Sequence, residues 1–427
     1  MYNRIKKAYN EYPPAFRVLT LATFIDMLGS FLLYPFFALY ITARFGVSML
    51  EVGFLLSINS TGNIVGGFIG GALADKYGRR FIILFGLIVS GVGSIFMGLV
   101  DNLFMFYILA AILGLIGSVG FPARQAMVAD LLPLEKQAKG FGILRISFNL
   151  SATIGPLLGG FLVTQSYLFL FIADAASSII TSIIVFLVIP ETKPEKKEEE
   201  EEETVIQTLV GYIDVLKDGL FIAFCLISIL EVVVYMQMNS TLSVYLRDNH
   251  GFPGPLFGIL LSMNAFIVVL FQMWIANKIA KYDPMKMMAV GSIFYMIGFG
   301  MYGFVSEFYW FFIAMIIITI GEMIVSPVSQ TAVAYFAPED KRGRYMAMYG
   351  FTWTIPSTFG VILAALVIAF LGPNWVWYFA GILAFIASVG YWLLRKAAKD
   401  RFDEKKREEI TNLNLNDNET SDFKEFN

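Results

Sequence analysis

Gly71-Ala72-Leu73-Ala74-Asp75-Lys76-Tyr77-Gly78-Arg79-Arg80 is the stretch on which the fold turns. Its last six residues carry four charges and a glycine, and apolar sequence runs away from them in both directions, over 50–73 and 81–100. Each flank is close to the ~20 residues that a helix needs to cross a hydrocarbon core. A charged turn between two such runs is a pair of membrane-spanning helices, since lipid leaves every backbone group to be satisfied inside the protein.

The same pattern recurs along the chain. Hydrophobic residues make up 57% of 427 and charged residues 15%, against roughly 45–50% and about 25% in soluble domains. Hydropathy predicts twelve spans, at 15–43, 50–73, 81–100, 103–131, 137–164, 167–190, 217–247, 255–281, 286–305, 308–335, 344–371 and 375–395. The first apolar run begins at Phe16 and is far longer than the ~7–15 residues of a signal-peptide core, so it reads as the first span.

The single cysteine, Cys225, and the single histidine, His250, exclude a disulfide framework, a cysteine or histidine metal cluster and a histidine proton relay. Any proton carried inside the membrane must then ride on carboxylates. Eight acids and three lysines occupy 191–203, and a second charged stretch follows Lys396. Such blocks are usually solvated. They divide the chain into a six-helix bundle over 1–190, an acidic linker over 191–213, a second bundle over 214–397 and a charged tail over 398–427.

Loops on one side carry Lys6, Lys7, Lys76, Arg79, Arg80, Lys136, Lys139, Lys281, Lys286, Lys341, Arg342 and Arg344, while opposite loops carry Arg44 and Arg247. The positive-inside rule then predicts both termini and the linker in the cytoplasm of a prokaryotic cell, the protein spanning its inner membrane. The two halves are related by a shift of 205 residues. Tyr40 and Gly46 fall on Tyr245 and Gly251, Lys76-Tyr77 on Lys281-Tyr282, Pro122, Gln125, Ala129, Pro133 and Lys136 on Pro327, Gln330, Ala334, Pro338 and Lys341, and Gly155 on Gly360. A register held from the first span to the fifth implies an all-α polytopic protein of two pseudo-symmetric six-helix bundles around a midplane cavity. That architecture suits alternating access.

At this point the chain resembles the major facilitator superfamily over essentially its whole length outside linker and tail, with Gly71–Arg80 standing where that superfamily has its signature loop. Ser151-Ala152-Thr153-Ile154-Gly155-Pro156-Leu157-Leu158-Gly159-Gly160 in span 5 is similar to the motif of its antiporters, with Ser151 where glycine is usual. Gly321-Glu322 with Pro327 in span 10 looks like proton-coupled multidrug exporters. Ala110 stands where many drug:proton antiporters place an arginine, and the second-half copy of the signature is eroded to Ala280-Lys281-Tyr282-Asp283-Pro284. The resemblance implies that Asp75 faces the N-terminus of span 11 near Gly343, and that Arg79 or Arg80 meets Asp130, forming a charge latch on the cytoplasmic side. Plain positive-inside anchoring is the alternative. Gly71 belongs to the same signature, and Gly78 permits its turn.

Small residues recur at i, i+4 in span 2 (Gly62, Gly66, Gly70) and span 5 (Ser151, Gly155, Gly159), allowing backbones to approach closely. They serve either static packing or sliding between the bundles, and Pro156 would bend span 5.

Ionisable groups deep in spans cost at least ~2.5–3.5 kcal/mol on insertion scales, so each is a functional candidate. Asp26 in span 1, its repeat equivalent Glu231 in span 7, and Glu322 in span 10 lie near the midplane. Proton and substrate binding or structural hydrogen bonding are the two readings. Arg124 and Arg145 lie in the inner-leaflet parts of spans 4 and 5, where Asp130 is a candidate partner, and Asp174 reads as a polar packing group. Tyr235, Gln237, Met238, Asn264 and Trp353 are candidate cavity residues whose aromatic and polarisable side chains suit lipophilic cations. The expectation is a monomeric proton-coupled exporter of amphipathic, cationic drugs, with protons, lipid and small molecules as its partners. No cofactor, metal or nucleic acid is expected, and with no phosphate-binding loop or nucleophile–histidine pair it is not an enzyme. Transport of a defined metabolite or lipid on the same scaffold is the alternative.

Overall fold

The computed structural model describes residues 12–193, 215–338 and 341–402. The acidic run from Glu198 to Glu203 and the tail beyond Phe402 lie outside them. Among the described residues, twelve helices are long and apolar enough to cross a membrane. In order, spans 1 to 6 are Pro14–Phe45, Met49–Tyr77, Arg79–Leu99, Leu103–Leu131, Lys139–Val163 and Leu168–Val188. Spans 7 to 12 are Gly219–Ser240, Gly254–Ile279, Pro284–Tyr302, Phe308–Phe336, Arg344–Leu371 and Asn374–Ala397. The expected spans are all present, and they form two six-helix halves.

Local chemistry sets several of the helix starts. The Ser48 hydroxyl accepts from Leu50 N, the Asn102 side chain from Met105 N, Asp218 from Phe221 N and Asp283 from Lys286 N, each satisfying an orphan amide. Three details depart from the hydropathy reading. A 3-10 turn at Tyr34–Phe36 interrupts span 1, and span 4 breaks between Gly117 and Gly120. Span 7 ends at Ser240, and Leu242–His250 is a separate short helix. The signature stretch is also less of a loop than expected. Span 2 runs through Asp75 to Tyr77, and Gly78 alone, at φ 103°, separates it from span 3. Only glycine adopts that backbone without strain.

The internal repeat is visible down to single bonds. Tyr40 OH donates to Met97 O and Tyr245 OH donates to Tyr302 O, donor and acceptor both shifted by 205. The short helices Phe37–Phe45 and Leu242–His250 both end in a left-handed glycine, Gly46 at φ 63° and Gly251 at φ 67°.

The halves meet at the ends remote from the basic loops. Ser57 donates to Thr358 O, and Ser60 donates to Ser357 O at 3.2 Å, joining spans 2 and 11. Gly160 of span 5 abuts Pro255, and Pro156 O lies where a Cβ on Gly258 of span 8 would go. Toward the basic face the same spans expose Phe148 on span 5 and Trp353 on span 11, both lining the cavity between the halves. The conformation is closed on the face opposite the basic loops and open toward them.

Of the two readings of the glycine faces, static packing or sliding between bundles, the first fits their place inside the first half. A Cβ at Gly62, Gly66 or Gly70 would strike the span 4 backbone, and one at Gly155 or Gly159 would strike Phe31 or Leu32 of span 1. Ser151 likewise donates to Phe24 O at 3.1 Å. These stripes are static packing, whereas the contact between halves uses the next positions, Pro156 and Gly160. Span 5 runs as one helix through Pro156, and Gly71 sits beside Pro122 of span 4.

Candidate functional site

A cavity of about 640 Å³ lies between the halves, lined by residues of spans 1 and 5 from the first and 7, 8, 10 and 11 from the second. That size suits a drug-sized ligand. Of the residues expected there, Tyr235, Met238, Asn264, Glu322 and Trp353 line it.

Glu322 is the negative charge of the cavity wall. Tyr235 OH donates to its Oε1 at 3.1 Å, and Asn264 Nδ2 donates to its Oε2 at 2.9 Å and to Thr319 Oγ1 at 2.9 Å. Each carboxylate oxygen thus accepts one neutral donor and keeps a lone pair free for a proton or a cation. Tyr235 is in turn held edge-on to Trp353, ring centroids 5.9 Å apart.

Asp26 and Glu231 point elsewhere. Asp26 accepts from Arg124 Nη2 at 2.8 Å and from Ser178 Oγ at 3.1 Å, within the first half. Glu231 accepts from Ser292 at 2.7 Å and Tyr391 at 3.0 Å, within the second. Met27, Ser30, Phe31 and Tyr34 mark the cavity face of span 1, and at 100° per residue Asp26 sits roughly a quarter-turn away from it. Arg124 therefore reaches Asp26 rather than Asp130. Gln237 is also turned from the cavity and donates to Gly360 O at 3.2 Å. Asp174 is buried in the same bundle as Asp26, beside Ser94 and Ser30.

At the basic face, Arg79 bonds Asp75 Oδ1 at 3.0 Å and Asp130 Oδ2 at 3.0 Å, tying spans 2, 3 and 4 together. The Asp75 side chain is 71% exposed, so in this conformation its carboxylate faces solvent. Arg80 donates instead to Phe186 O. The sequence reading missed Glu191, whose carboxylate accepts from the backbone N of Arg79 at 2.8 Å and of Arg80 at 3.1 Å. It caps span 3 at the positive end of the helix dipole. Thr192 adds a bond to Asp130 at 3.0 Å and Lys193 one to Lys76 O at 2.8 Å. The start of the linker is therefore fastened onto the signature turn. Arg145, which the sequence assigns to the inner-leaflet part of span 5 with no role of its own, lines the cavity. The available signal was its spacing from Asn149, Ala152 and Pro156, which share one helical face.

The profile of the Major Facilitator Superfamily matches residues 19–357 and 228–425. Over 408 residues the chain is 24% identical to a Na(+), Li(+), K(+)/H(+) antiporter of Planococcus maritimus, covering 89% of this chain and 96% of that one. It is 28% identical to the MFS-type transporter YttB of Bacillus subtilis, covering 78% and 83%, and 21% identical to the multidrug resistance protein MdtH of Yersinia pestis, covering 86% and 91%. Among solved structures, the nucleoside transporter NupG superposes with a TM-score of 0.77 at 12% identity, over 89% of this chain and 99% of that one. A POT family transporter in complex with a thioalcohol-conjugated peptide superposes at 0.75 and 17% identity, over 90% and 96%. At these identities the structures speak for the fold, and the family match, spanning both halves, carries the assignment. The chain belongs to the Major Facilitator Superfamily and is a multi-pass membrane transporter.

Proposed function

We propose that the chain is a proton-coupled antiporter that exports amphipathic cations by alternating access, with both termini and the basic face in the cytoplasm of a bacterial cell. The observation that carries this reading is Glu322, a carboxylate in the wall of a cavity shared by both halves, whose hydrogen bonds come from the neutral donors Tyr235 and Asn264. A substrate cation entering from the open basic face and a proton arriving from the other side compete for the same charge. Exchange follows if only one of them is held at a time. The aromatic and methionine side chains around it accept varied apolar bodies.

A monovalent metal ion meets the same carboxylate, and the full-length similarity to a Na(+), Li(+), K(+)/H(+) antiporter favours that second reading. Inverted vesicles with an imposed pH gradient separate the two. Under the first, a fluorescent lipophilic cation accumulates uphill, a protonophore collapses it, and Glu322→Gln abolishes it while the protein remains folded. Dissipation of the gradient by sodium or potassium without dye movement supports the second. A Glu322→Gln protein that still concentrates the cation refutes proton exchange at Glu322.

A further inference from the structure

The identity of the substrate rests on the reading just given, that the positively charged group of an amphipathic molecule meets Glu322, and it narrows that reading from a simple cation to a cation that also carries an anion. Two of its lining residues carry a charge, Arg145 from the first half and Glu322 from the second. Glu322 is bonded by neutral donors. Arg145 is exposed and has no acceptor among the described residues. It shares its helical face with Asn149, Ala152 and Pro156, all of which line the cavity, so its side chain belongs to the cavity wall. An arginine serving only to anchor the helix among headgroups would project from a lipid-facing position instead.

The cavity is therefore bipolar, with a fixed cation on one half and a fixed anion on the other. We propose that it recognises amphipathic zwitterions: an aromatic or aliphatic body, a basic group received by Glu322, and a carboxylate or similar planar anion received by Arg145. A guanidinium presents a rigid fork of donors matched to a carboxylate. A simple cation satisfies Glu322 but meets Arg145 as a like charge, and a simple anion meets the reverse conflict. A zwitterion satisfies both, and each fixed charge works against the wrong ligand. Phe31, Phe148, Tyr235 and Trp353 supply the apolar surface between them. Because the two charges belong to different halves, such a ligand bridges the surfaces that move apart during transport. Its affinity then differs between conformations, which is what lets a ligand bias them.

The test uses the full-length protein in lipid nanodiscs and two probes on one ring system, a cationic rhodamine ethyl ester and the matching rhodamine free acid, which is a zwitterion. The wild type is expected to bind the free acid about tenfold more tightly than the ester, a difference of about 1.4 kcal/mol. Arg145→Gln should weaken the free acid about tenfold and leave the ester unchanged or tighter, whereas Arg145→Lys should keep part of the preference. Glu322→Gln should weaken both. Size-exclusion profiles identify any variant that fails to fold. Equal effects of Arg145→Gln on both dyes, or an undiminished preference for the free acid, overturn the assignment while leaving the amphipath reading standing. Binding of neither dye to the wild type overturns both.

Discussion

Thr42 and Arg247 stand at equivalent positions of the two halves, 205 residues apart, and they touch: the guanidinium of Arg247 donates to the Thr42 hydroxyl at 3.0 Å. It also donates to Leu39 O at 3.2 Å, and Asp248 accepts from it at 2.5 and 2.9 Å. Two repeat-equivalent residues can meet only where the axis relating the halves passes between them. The joint on the face opposite the basic loops is thus clasped on that axis. Replacing Arg247 by Ala removes the cross-half bonds, worth roughly 1 kcal/mol net, or about a fivefold change in the ratio of the two states. Spin labels at Ser48 and Asn249 should report longer distances in Arg247→Ala. An unchanged distribution would mean that the spans 2–11 and 5–8 contacts suffice.

How far this was legible in the sequence follows from what depth and direction each require. Span positions follow from hydropathy, and Glu322 was found because an acid midway along an apolar helix is costly wherever it points. Asp26 and Glu231 were placed at the right depth by the same argument, but a residue's azimuth depends on how its helix is rotated against its neighbours, which hydropathy does not encode. The breaks at Tyr34–Phe36 and after Ser240 escaped for a related reason: they change the backbone and leave the apolar content unaltered. The Glu191 cap joins positions 112 residues apart, from Glu191 to Arg79, and no local pattern announces such a pair.

Closure of the far face also needs a backbone approach that only glycine allows. A Cβ at Gly258 would overlap Pro156 O of the other half. Gly258→Val should therefore leave folding intact within each half and hold the far face open. Cys225 is the chain's single cysteine and is buried, so in a Cys225→Ser background a cysteine at Asn239 reports cavity access alone. An impermeant thiol reagent added from the face opposite the basic loops should label Asn239→Cys several times faster with Gly258→Val than without it. Equal rates would show that spans 5 and 8 can part without loss of the closed state.

At the basic face of the second half, Asp218 caps span 7 and receives Arg401 at 3.0 and 2.7 Å and Tyr345 OH at 2.8 Å. Burial alone would raise its pKa, but the bonds from Arg401, Tyr345 and the Phe221 amide outweigh that and hold the carboxyl below its usual value. A group whose folded pKa is depressed contributes stability above its unfolded pKa, about 4, and loses it as pH falls through the folded value. Arg401→Gln should lower the apparent melting temperature by a few degrees near neutral pH. The gap from wild type should narrow as pH falls below about 4. A gap independent of pH would assign the effect to the stacking of the Arg401 guanidinium on the Phe336 ring.

The last prediction concerns the ion pair between Asp26 and Arg124, whose side chains are 10% and 12% exposed. Breaking a buried pair by removing one partner strands the other charge, at a cost of about 3–5 kcal/mol. The two partners are not equivalent, however. A carboxylate can be neutralised by a proton, and Asp26 keeps the Ser178 hydroxyl when Arg124 is lost. A guanidinium cannot lose its charge in a protein. Asp26→Asn should thus reduce the yield of folded protein severely, Arg124→Gln should be tolerated better, and the double variant should recover most of the loss. That recovery separates structure from coupling. If the Asp26→Asn/Arg124→Gln protein still drives uphill cation efflux on an imposed pH gradient, Asp26 serves the bundle and carries no coupling proton. If it is folded, binds dye and no longer couples, the proton path needs the Asp26–Arg124 pair as well as Glu322.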